Sequence, residues 1–262
     1  MKIEMPKSSG IVLATKGKFC KEDIEVVPTF DINEKIFVDY IQGTIYEVTA
    51  EDLKGVTYIS PYAFYYRPIT SIELSDSIVS IGEQAFTYSN LKSVKLSEGM
   101  TSIGANAFYR CYDLESVDLG KSITRLESYV FCQCTSLTSI DISNITSTGN
   151  GPFDGSGLTH LTVPGTLNTL SNYFAQNCKS LTAVRLENGV VKLNQGAFSN
   201  CTNLMEIVCL STNPPSIYHN SFNGVPEDCV IKVPAASVEA YKTATNWSER
   251  ADYIIAYEEN QA

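Results

Sequence analysis

The stretch SIGANAFYRCYDLESVDL, residues 102–119, occurs nearly twice in this sequence. The earlier copy is SIGEQAFTYSNLKSVKL, residues 80–96, so the two copies begin 22 residues apart. A fixed period of about 20 to 29 residues is the signature of stacked repeats, in which no single unit buries its own apolar face. The sequence therefore predicts a solenoid, with each copy forming one coil.

Phenylalanine marks this period along the chain. The aligned residues, separated by 22, 22, 23, 22, 45 and 24 positions, are Phe64, Phe86, Phe108, Phe131, Phe153, Phe198 and Phe222. The 45-residue gap holds one more unit, where the aromatic is displaced by one residue to Phe174 and Ala175 takes the aligned place. The pattern predicts eight units between about residues 45 and 223.

Each unit carries one segment that is typical of a short strand. In the unit of the opening stretch, Leu114, Val117 and Leu119 are apolar, and the last positions alternate apolar and polar. This alternation indicates a half-buried strand, and strands of neighbouring coils stack about 4.8 Å apart. The expected fold is a mainly β solenoid of about eight 22–24-residue coils with a parallel sheet.

The repeated motif resembles that of the BspA-type leucine-rich repeat family. Its clearest copy runs from Ile103-Gly104 through Ala107-Phe108 to Cys111, and the resemblance covers residues 43–223. The unit around 147–157 departs from the motif, because it lacks alanine before Phe153 and gains glycines. A bulge or loop is expected there, since glycine within a strand pattern often marks one.

Charge and hydropathy exclude two classes of partner. The net charge is −10 and the pI about 4.7, whereas nucleic-acid binding needs a basic face. No apolar run approaches the roughly 20 residues of a membrane span. We expect no nucleic-acid partner and no membrane insertion. The first 20 residues have no apolar stretch long enough for a signal peptide, so either the signal was removed or the protein is not exported by that route.

The cysteines follow the repeat. Cys111, Cys134, Cys178 and Cys201 each lie three residues after the aligned position, and Cys209 takes an inward strand position. This regularity favours a ladder of buried thiols that pack as small apolar side chains. Metal binding and disulfides, for example between cysteines of neighbouring coils, are the alternatives.

Both ends of the chain leave the repeat. Residues 224–262 predict a C-terminal αβ cap, and Val233-Pro234, Ala240-Tyr241 and Trp247 resemble the terminal cap of BspA-type proteins. Residues 1–42 predict a β segment that serves as an attachment element or as a cap. The residues between these two segments, 43–223, form the predicted solenoid.

The N-terminal segment carries a resemblance of its own. It is similar to a segment of tail-associated proteins from phages and prophages of gut Firmicutes, and the matching positions are Leu13-Ala14-Thr15, Gly17-Lys18-Phe19-Cys20, Asp23-Ile24 and Val26. This likeness implies attachment to a larger assembly and a location on a virion.

No catalytic or cofactor motif is found in the sequence. Gly120-Lys121-Ser122 lacks the earlier glycine of a phosphate-binding loop and lies in repeat register. The two histidines, His160 and His219, fall on an outward strand position and in a loop. We therefore predict no enzyme activity, no cofactor and no metal.

Two sets of residues are candidates for partner binding. The first is a column of outward residues on the predicted sheet, and the second is a group of tyrosines in the early coils, because tyrosine-rich surfaces make good contact surfaces. The candidate binding residues are Tyr65, Tyr66, Tyr88, Tyr109, Tyr112, Glu73, Lys95, Asp118, Asp141 and Arg185. The alternatives without a binding function are core packing for the tyrosines and a solvated face for the column.

Three functions are compatible with this pattern. The first is a non-enzymatic recognition module, carried on a phage or tail-like particle, that binds a protein or glycan of a bacterial surface. The second is a bacterial cell-surface adhesin of BspA type that binds host protein or matrix. The third, an enzyme, would need a catalytic group around His160 or His219. The corresponding locations are virion-associated or extracellular for the first and the bacterial surface for the second.

Overall fold

The computed structural model describes residues 37–38, 47–50 and 53–258. The predicted N-terminal attachment segment, with its phage-like motif at 13–26 and with Cys20, lies outside the described residues. The predicted boundary at residue 42 stays a prediction, although the strand Phe37–Val38 already pairs with Tyr58–Ile59 as part of the stack.

The chain forms a parallel β-solenoid of about nine turns, in which short strands line two sides of each coil. The first side, called the sheet row, holds Glu47–Val48, Ser71–Ile72, Ser93–Lys95, Ser116–Asp118, His160–Val163, Ala183–Leu186, Glu206–Cys209, Val230–Pro234 and Ile254–Tyr257. The second side, called the short row, holds Phe37–Val38, Tyr58–Ile59, Ser80–Ile81, Ser102–Ile103, Arg125–Leu126, Ser147–Thr148, Thr169–Leu170, Lys192–Leu193 and Ser216–Ile217. The predicted solenoid is confirmed, with one turn more than the eight units counted in the sequence.

The strand register places equivalent residues of neighbouring coils side by side. Leu161 pairs with Val184, which in turn pairs with Ile207, and all pairings are parallel. These three side chains are buried and belong to one core that runs through the described coils. Because each coil buries its apolar residues against the next, stability comes from stacking rather than from any single unit.

The aligned phenylalanines form a continuous column inside the solenoid. From Phe64 to Phe153, successive rings stack with centroids 5.1–6.2 Å apart and planes within 10° of parallel. At Phe174 the ring stays in the column but turns edge-on, at 84° to Phe153 and 77° to Phe198. The one-residue displacement seen in the sequence therefore changes the ring orientation and leaves the column unbroken.

The turn that carries each phenylalanine has a repeated backbone conformation. In seven successive coils, the residues two before and two after the aligned position have φ between 54° and 68°. These residues are Tyr62, Tyr66, Gln84, Tyr88, Asn106, Arg110, Tyr129, Gln133, Gly151, Gly155, Tyr173, Asn177, Gly196 and Asn200. The left-handed region costs most residues about 1–2 kcal/mol and costs glycine little.

A bulge or loop was expected at 147–157, and the turn itself has no bulge, because Gly151 and Gly155 fill these left-handed positions in a regular turn. Phe131 N donates to Pro152 O at 2.9 Å, and Phe153 N donates to Phe174 O at 3.1 Å, so the bonds between coils continue through this turn. Strand pairing is nonetheless interrupted on both rows near this turn. On the short row, Ser147–Thr148 pairs with Arg125–Leu126 and not with Thr169–Leu170. On the sheet row, residues 139–142 form no strand between Ser116–Asp118 and His160–Val163.

The C-terminal cap closes the last coil. It consists of the strand Val230–Pro234, the 3-10 helix Ala235–Ser237, the α-helix Val238–Thr243, the 3-10 helix Ser248–Tyr253 and the strand Ile254–Tyr257. Trp247 is buried against Phe222, with ring centroids 5.6 Å apart, and its Nε1 donates to Pro215 O at 2.7 Å. Tyr241 Oη donates to Ser211 O at 2.7 Å. The predicted αβ cap is confirmed.

The seven described cysteines are all buried free thiols. Cys111, Cys134 and Cys178 each donate from Sγ to the carbonyl oxygen of the phenylalanine in the preceding coil, at 3.0–3.1 Å. Burial raises the pKa of the Cys111 and Cys178 thiols to about 12. The buried ladder is confirmed within this part of the chain, and the disulfide alternative does not hold there.

Candidate functional site: a tyrosine–arginine patch on the turns

The left-handed turn positions place several tyrosines on the outside of the early coils. Tyr62, Tyr66 and Tyr88 occupy such positions, whereas Phe64 between the first two points into the core. Tyr66 is 58% exposed and Tyr62 is 37% exposed. The same turn thus buries its phenylalanine and displays the tyrosines on either side of it.

The five predicted tyrosines lie together in one cluster, and Tyr62 joins them. Tyr66 stacks on Tyr88 with ring centroids 4.2 Å apart, and Tyr65 meets Tyr66 edge-on at 4.7 Å. Tyr88 also contacts Tyr109 at 6.1 Å and Tyr112 at 6.2 Å. We define the Tyr–Arg patch as these six tyrosines with Arg110: Tyr62, Tyr65, Tyr66, Tyr88, Tyr109, Tyr112 and Arg110.

Arg110 is the residue that sequence reasoning missed. Its guanidinium carbon lies 5.0 Å from the ring centroid of Tyr109 and 5.3 Å from that of Tyr88, which is cation–π distance. Nη1 donates a hydrogen bond to Tyr88 Oη, and this bond raises the pKa of the guanidinium. A signal was present, because Arg110 follows Tyr66 and Tyr88 at the 22-residue period and therefore belongs to their column.

Two neighbouring phenols of the patch shift each other's pKa. The bond with Tyr88 raises the pKa of Tyr66 to about 12. The pKa of Tyr88 is lowered, first by its bond with Tyr66 and then by its bond with Arg110. Tyr88 therefore interacts with both neighbours of its column: its ring stacks on Tyr66, and its hydroxyl accepts a hydrogen bond from Arg110.

The predicted outward column lies on the sheet row, away from the turns. Glu73, Lys95, Asp118 and Asp141 are exposed, and Lys95 is the register partner of Asp118. Among the described residues, no hydrogen bond or ion pair joins this column to the Tyr–Arg patch. The structure therefore divides the ten candidates into two separate surfaces.

Arg185, the fifth member of the column, is held by contacts within the protein. Its Nε lies 2.6 Å from Glu187 Oε1, and its Nη1 donates to Tyr257 Oη at 3.3 Å. Tyr257 belongs to the last strand of the cap, so this arginine ties a repeat strand to the cap. These contacts make it a weaker candidate for partner binding than the exposed members of the column.

A cavity of about 260 Å³ opens where the sheet row is interrupted. Its lining includes the buried side chains of Leu119, Ile123 and Ile145 and the exposed side chains of Asp118 and Asp141. Both carboxylates already accept a hydrogen bond within their own turn, from the backbone N–H of residues 120 and 143 at 3.0 and 2.9 Å.

The histidines do not assemble a catalytic group within the described residues. His160 is exposed, with Nδ1 3.2 Å from Thr159 Oγ1, and His219 contacts the ring of Tyr218. In the same part of the chain, no cluster of three or more metal-ligating side chains occurs. None of the helices described is long and apolar enough to cross a membrane.

Comparison with solved structures finds similar solenoids at low identity. A leucine rich cell surface protein from Faecalibacterium prausnitzii is 21% identical, with a TM-score of 0.43, and the match covers 83% of this chain and 61% of that one. The leucine rich repeat protein TpLRR of T. pallidum is 23% identical, with a TM-score of 0.49, and the match covers 68% of this chain and 77% of that one. The pneumococcal vaccine antigen PcpA is 14% identical, with a TM-score of 0.46, and the match covers 80% of this chain and 66% of that one.

The family assignment comes from the repeat itself. No curated protein matches the chain. The model of the BspA type leucine rich repeat region matches residues 57–182 and 171–245 in six copies, which is most of the sequence. These matched ranges include the phenylalanine column, the cysteine ladder and the Tyr–Arg patch, and the resemblance seen in the motif is thereby confirmed: this chain belongs to the BspA-type leucine-rich repeat family.

Proposed function

We propose that this chain is a non-enzymatic recognition module that binds a protein or glycan on a cell surface through the Tyr–Arg patch. The observation that carries the proposal is the exposure of stacked tyrosines. Tyr66 packs on Tyr88 at 4.2 Å and still leaves 58% of its area in solvent. Tyrosine gives a large, rigid contact area with a hydrogen-bonding group at low entropic cost, which suits a binding surface.

The solenoid supports this function by holding the patch in place. The turns that carry Tyr66 and Tyr88 are fixed by backbone bonds, with Tyr66 N donating to Thr87 O at 2.9 Å and Tyr88 N to Tyr109 O at 3.0 Å. A preorganised surface loses less conformational entropy on binding than a mobile one. Family membership agrees with a protein-binding or adhesive role outside the cell or at its surface.

Two carriers of the module are proposed, and different observations favour them. Membership in the BspA-type family favours a bacterial cell-surface adhesin that binds host protein or matrix. The motif at 13–26 favours a phage or tail-like particle that binds a bacterial surface component, with attachment through residues 1–42. The binding surface is the same in both cases, so the target cell distinguishes them.

The experiment is a flow-cytometric binding assay of the labelled chain on gut Firmicute and Bacteroidetes cells and on a host epithelial line. The test variant is Tyr66→Asn, because asparagine tolerates the left-handed turn and occupies the same column at Asn177 and Asn200. The control is Tyr173→Asn, which changes a tyrosine with the same backbone conformation outside the patch.

We expect saturable binding that falls in the test variant and not in the control. Binding to a few bacterial strains supports the particle-borne module, and binding to host cells supports the adhesin. Absence of binding to either cell type, or equal binding by both variants, would contradict a recognition role for the patch.

A further inference from the structure

We propose that the Tyr–Arg patch recognises a carboxylated saccharide, with the carboxylate held by Arg110 and a sugar ring packed on the exposed tyrosines. The proposal rests on the proposed function, because it names the ligand chemistry of the same surface. Three features of the patch carry it: the unpaired charge of Arg110, its unused donors and the shape of the surrounding rings.

Arg110 has no acidic partner among the described residues of this strongly acidic chain. The sequence has 29 acidic and 19 basic residues, so acids outnumber bases as potential partners. Some other cations of the described chain form close ion pairs, as Arg125 does with Glu127 and Arg185 with Glu187, both at 2.6 Å. Arg110 instead packs over the rings of Tyr88 and Tyr109. Its charge is left for a ligand of opposite sign.

Two nitrogens of the Arg110 guanidinium make no hydrogen bond within the described residues. Nη1 donates to Tyr88 Oη, whereas Nε is buried without a hydrogen-bond partner and Nη2 makes no hydrogen bond within the described residues. A buried donor without a partner is destabilising, and the planar arginine fork matches a carboxylate through two parallel bonds. A carboxylate that accepts from Nη2, and from Nε after a small ring movement, would remove this cost.

The exposed rings of the patch favour a sugar over a peptide as the carrier of that carboxylate. Tyr62, Tyr66 and Tyr112 are 37%, 58% and 43% exposed, and each presents an apolar ring face beside a hydroxyl. The C–H face of a sugar ring packs on such a surface, while its hydroxyls exchange hydrogen bonds with the phenols. The cavity among residues 117–145, which would suit a projecting side chain, lies on the sheet row and not in the patch.

The test uses an array of saccharides in matched pairs that differ only in a carboxylate, such as uronate and hexose oligomers or sialylated and asialo chains. Phosphorylated and sulfated sugars and an acidic peptide complete the array. The test variant is Arg110→Gln, because glutamine fills the equivalent left-handed position at Gln133. Arg125→Gln, an exposed arginine outside the patch, is the matched control. Thermal melting of each variant verifies folding.

We expect the unmodified chain and the control to prefer carboxylated members by about tenfold or more, the size of one charge-assisted hydrogen bond. Arg110→Gln should lose that preference while it retains weak binding to the neutral members. Equal binding of both members of a pair, a preference that survives Arg110→Gln, or binding confined to phosphorylated or sulfated sugars or to the peptide would overturn the proposal. So would absence of binding to every saccharide.

The cell-binding assay separates failure of this inference from failure of the proposed function. If Tyr66→Asn abolishes cell binding and Arg110→Gln leaves it intact, the patch is a recognition surface and only the carboxylate assignment is wrong. If both variants bind cells as the unmodified chain does, the patch is not the recognition surface and both proposals fail.

Discussion

Tyr66 and Tyr88 lie one coil apart and stack with ring centroids 4.2 Å apart and planes inclined by 16°. Phe64 and Phe86, two residues earlier in each coil, stack in the same way at 5.1 Å. The first pair is on the surface and the second is in the core, so the repeat builds two parallel aromatic columns from one turn. The inner column stabilises the stack, and the outer column leaves Tyr66 exposed at the surface.

The two columns should respond differently to truncation. We expect Phe108→Ala to lower the free energy of unfolding by about 3–5 kcal/mol, because it leaves a cavity in a fully buried column. Tyr65→Ala with Tyr109→Ala should cost less, about 1–3 kcal/mol, since both rings are half-buried and contact other patch tyrosines. Urea unfolding followed by circular dichroism measures both.

The double variant should also weaken partner binding in the cell assay. Tyr253→Ala, which truncates an exposed tyrosine of the cap, serves as the control for loss of a surface ring. A loss of stability in the double variant as large as that of Phe108→Ala would show that Tyr65 and Tyr109 are core residues, and their assignment to a binding surface would then fail.

The close approach of coils at Gly104 yields a second prediction. A Cβ at this position would lie 2.4 Å from the backbone nitrogen of Glu83 in the preceding coil, and Gly82 meets Pro61 N at the same distance one coil earlier. Backbone atoms cannot move aside without shifting a coil. We expect Gly104→Ala to lower the free energy of unfolding by more than about 2 kcal/mol, within the range of strained or overpacked sites.

Gly99→Ala is the matched control for this change. Its Cβ would lie 3.4 Å from Asp76 O, and its φ is not in the left-handed region, so we expect an effect within about 0.5 kcal/mol. Denaturant midpoints of the two variants give the comparison. Equal midpoints would mean that the coils relax freely at residue 104, and that Ile-Gly recurs in the motif for another reason.

The sequence predicts the solenoid well because every coil meets the same environment. A residue such as Phe108 has equivalent neighbours in the coils above and below. The same packing requirement therefore selects the same residue type in each coil, and the sequence repeats with the length of one coil. Even the displaced Phe174 keeps its place in the column, and the sequence identified it correctly. The glycines near Phe153 were misread, because the period does not reveal backbone φ.

The candidate site was predictable only in part. Shared columns indicated that Tyr66 and Tyr88 lie together, but the place of Arg110 over the rings depends on side-chain geometry that no spacing encodes. Val208 shows the opposite error. It pairs with Arg185, so the repeat pattern predicts an outward side chain there, yet Val208 is buried. Lys232 and the contact between Arg185 and Tyr257 lie beside it on the sheet row, and contacts made by the cap lie outside the repeat pattern.

The cysteine ladder predicts slow thiol chemistry in the folded protein. Burial raises the pKa of Cys111 and Cys178 to about 12, so almost no thiolate is present at pH 8. In a Cys20→Ser variant, which leaves only the seven described cysteines, we expect alkylation by iodoacetamide at pH 8 to be slow when native and fast in urea. Mass spectrometry of peptides at timed intervals measures the rate at each site.

The same shifts fix the sign of the pH dependence of stability. The folded pKa lies above the unfolded value near 9, so the unfolded chain loses its thiol protons first as pH rises. The contribution of these thiols to stability should therefore be constant below about pH 8 and fall between about pH 9 and 12. Tyrosine and lysine also titrate in this range, so a control without the two thiols is needed. The control carries Cys111→Ser and Cys178→Ser in the Cys20→Ser background. Its free energy of unfolding should fall less steeply with pH. An identical slope, or rapid native alkylation at Cys111, would mean that these thiols are accessible and that the ladder is open to solvent.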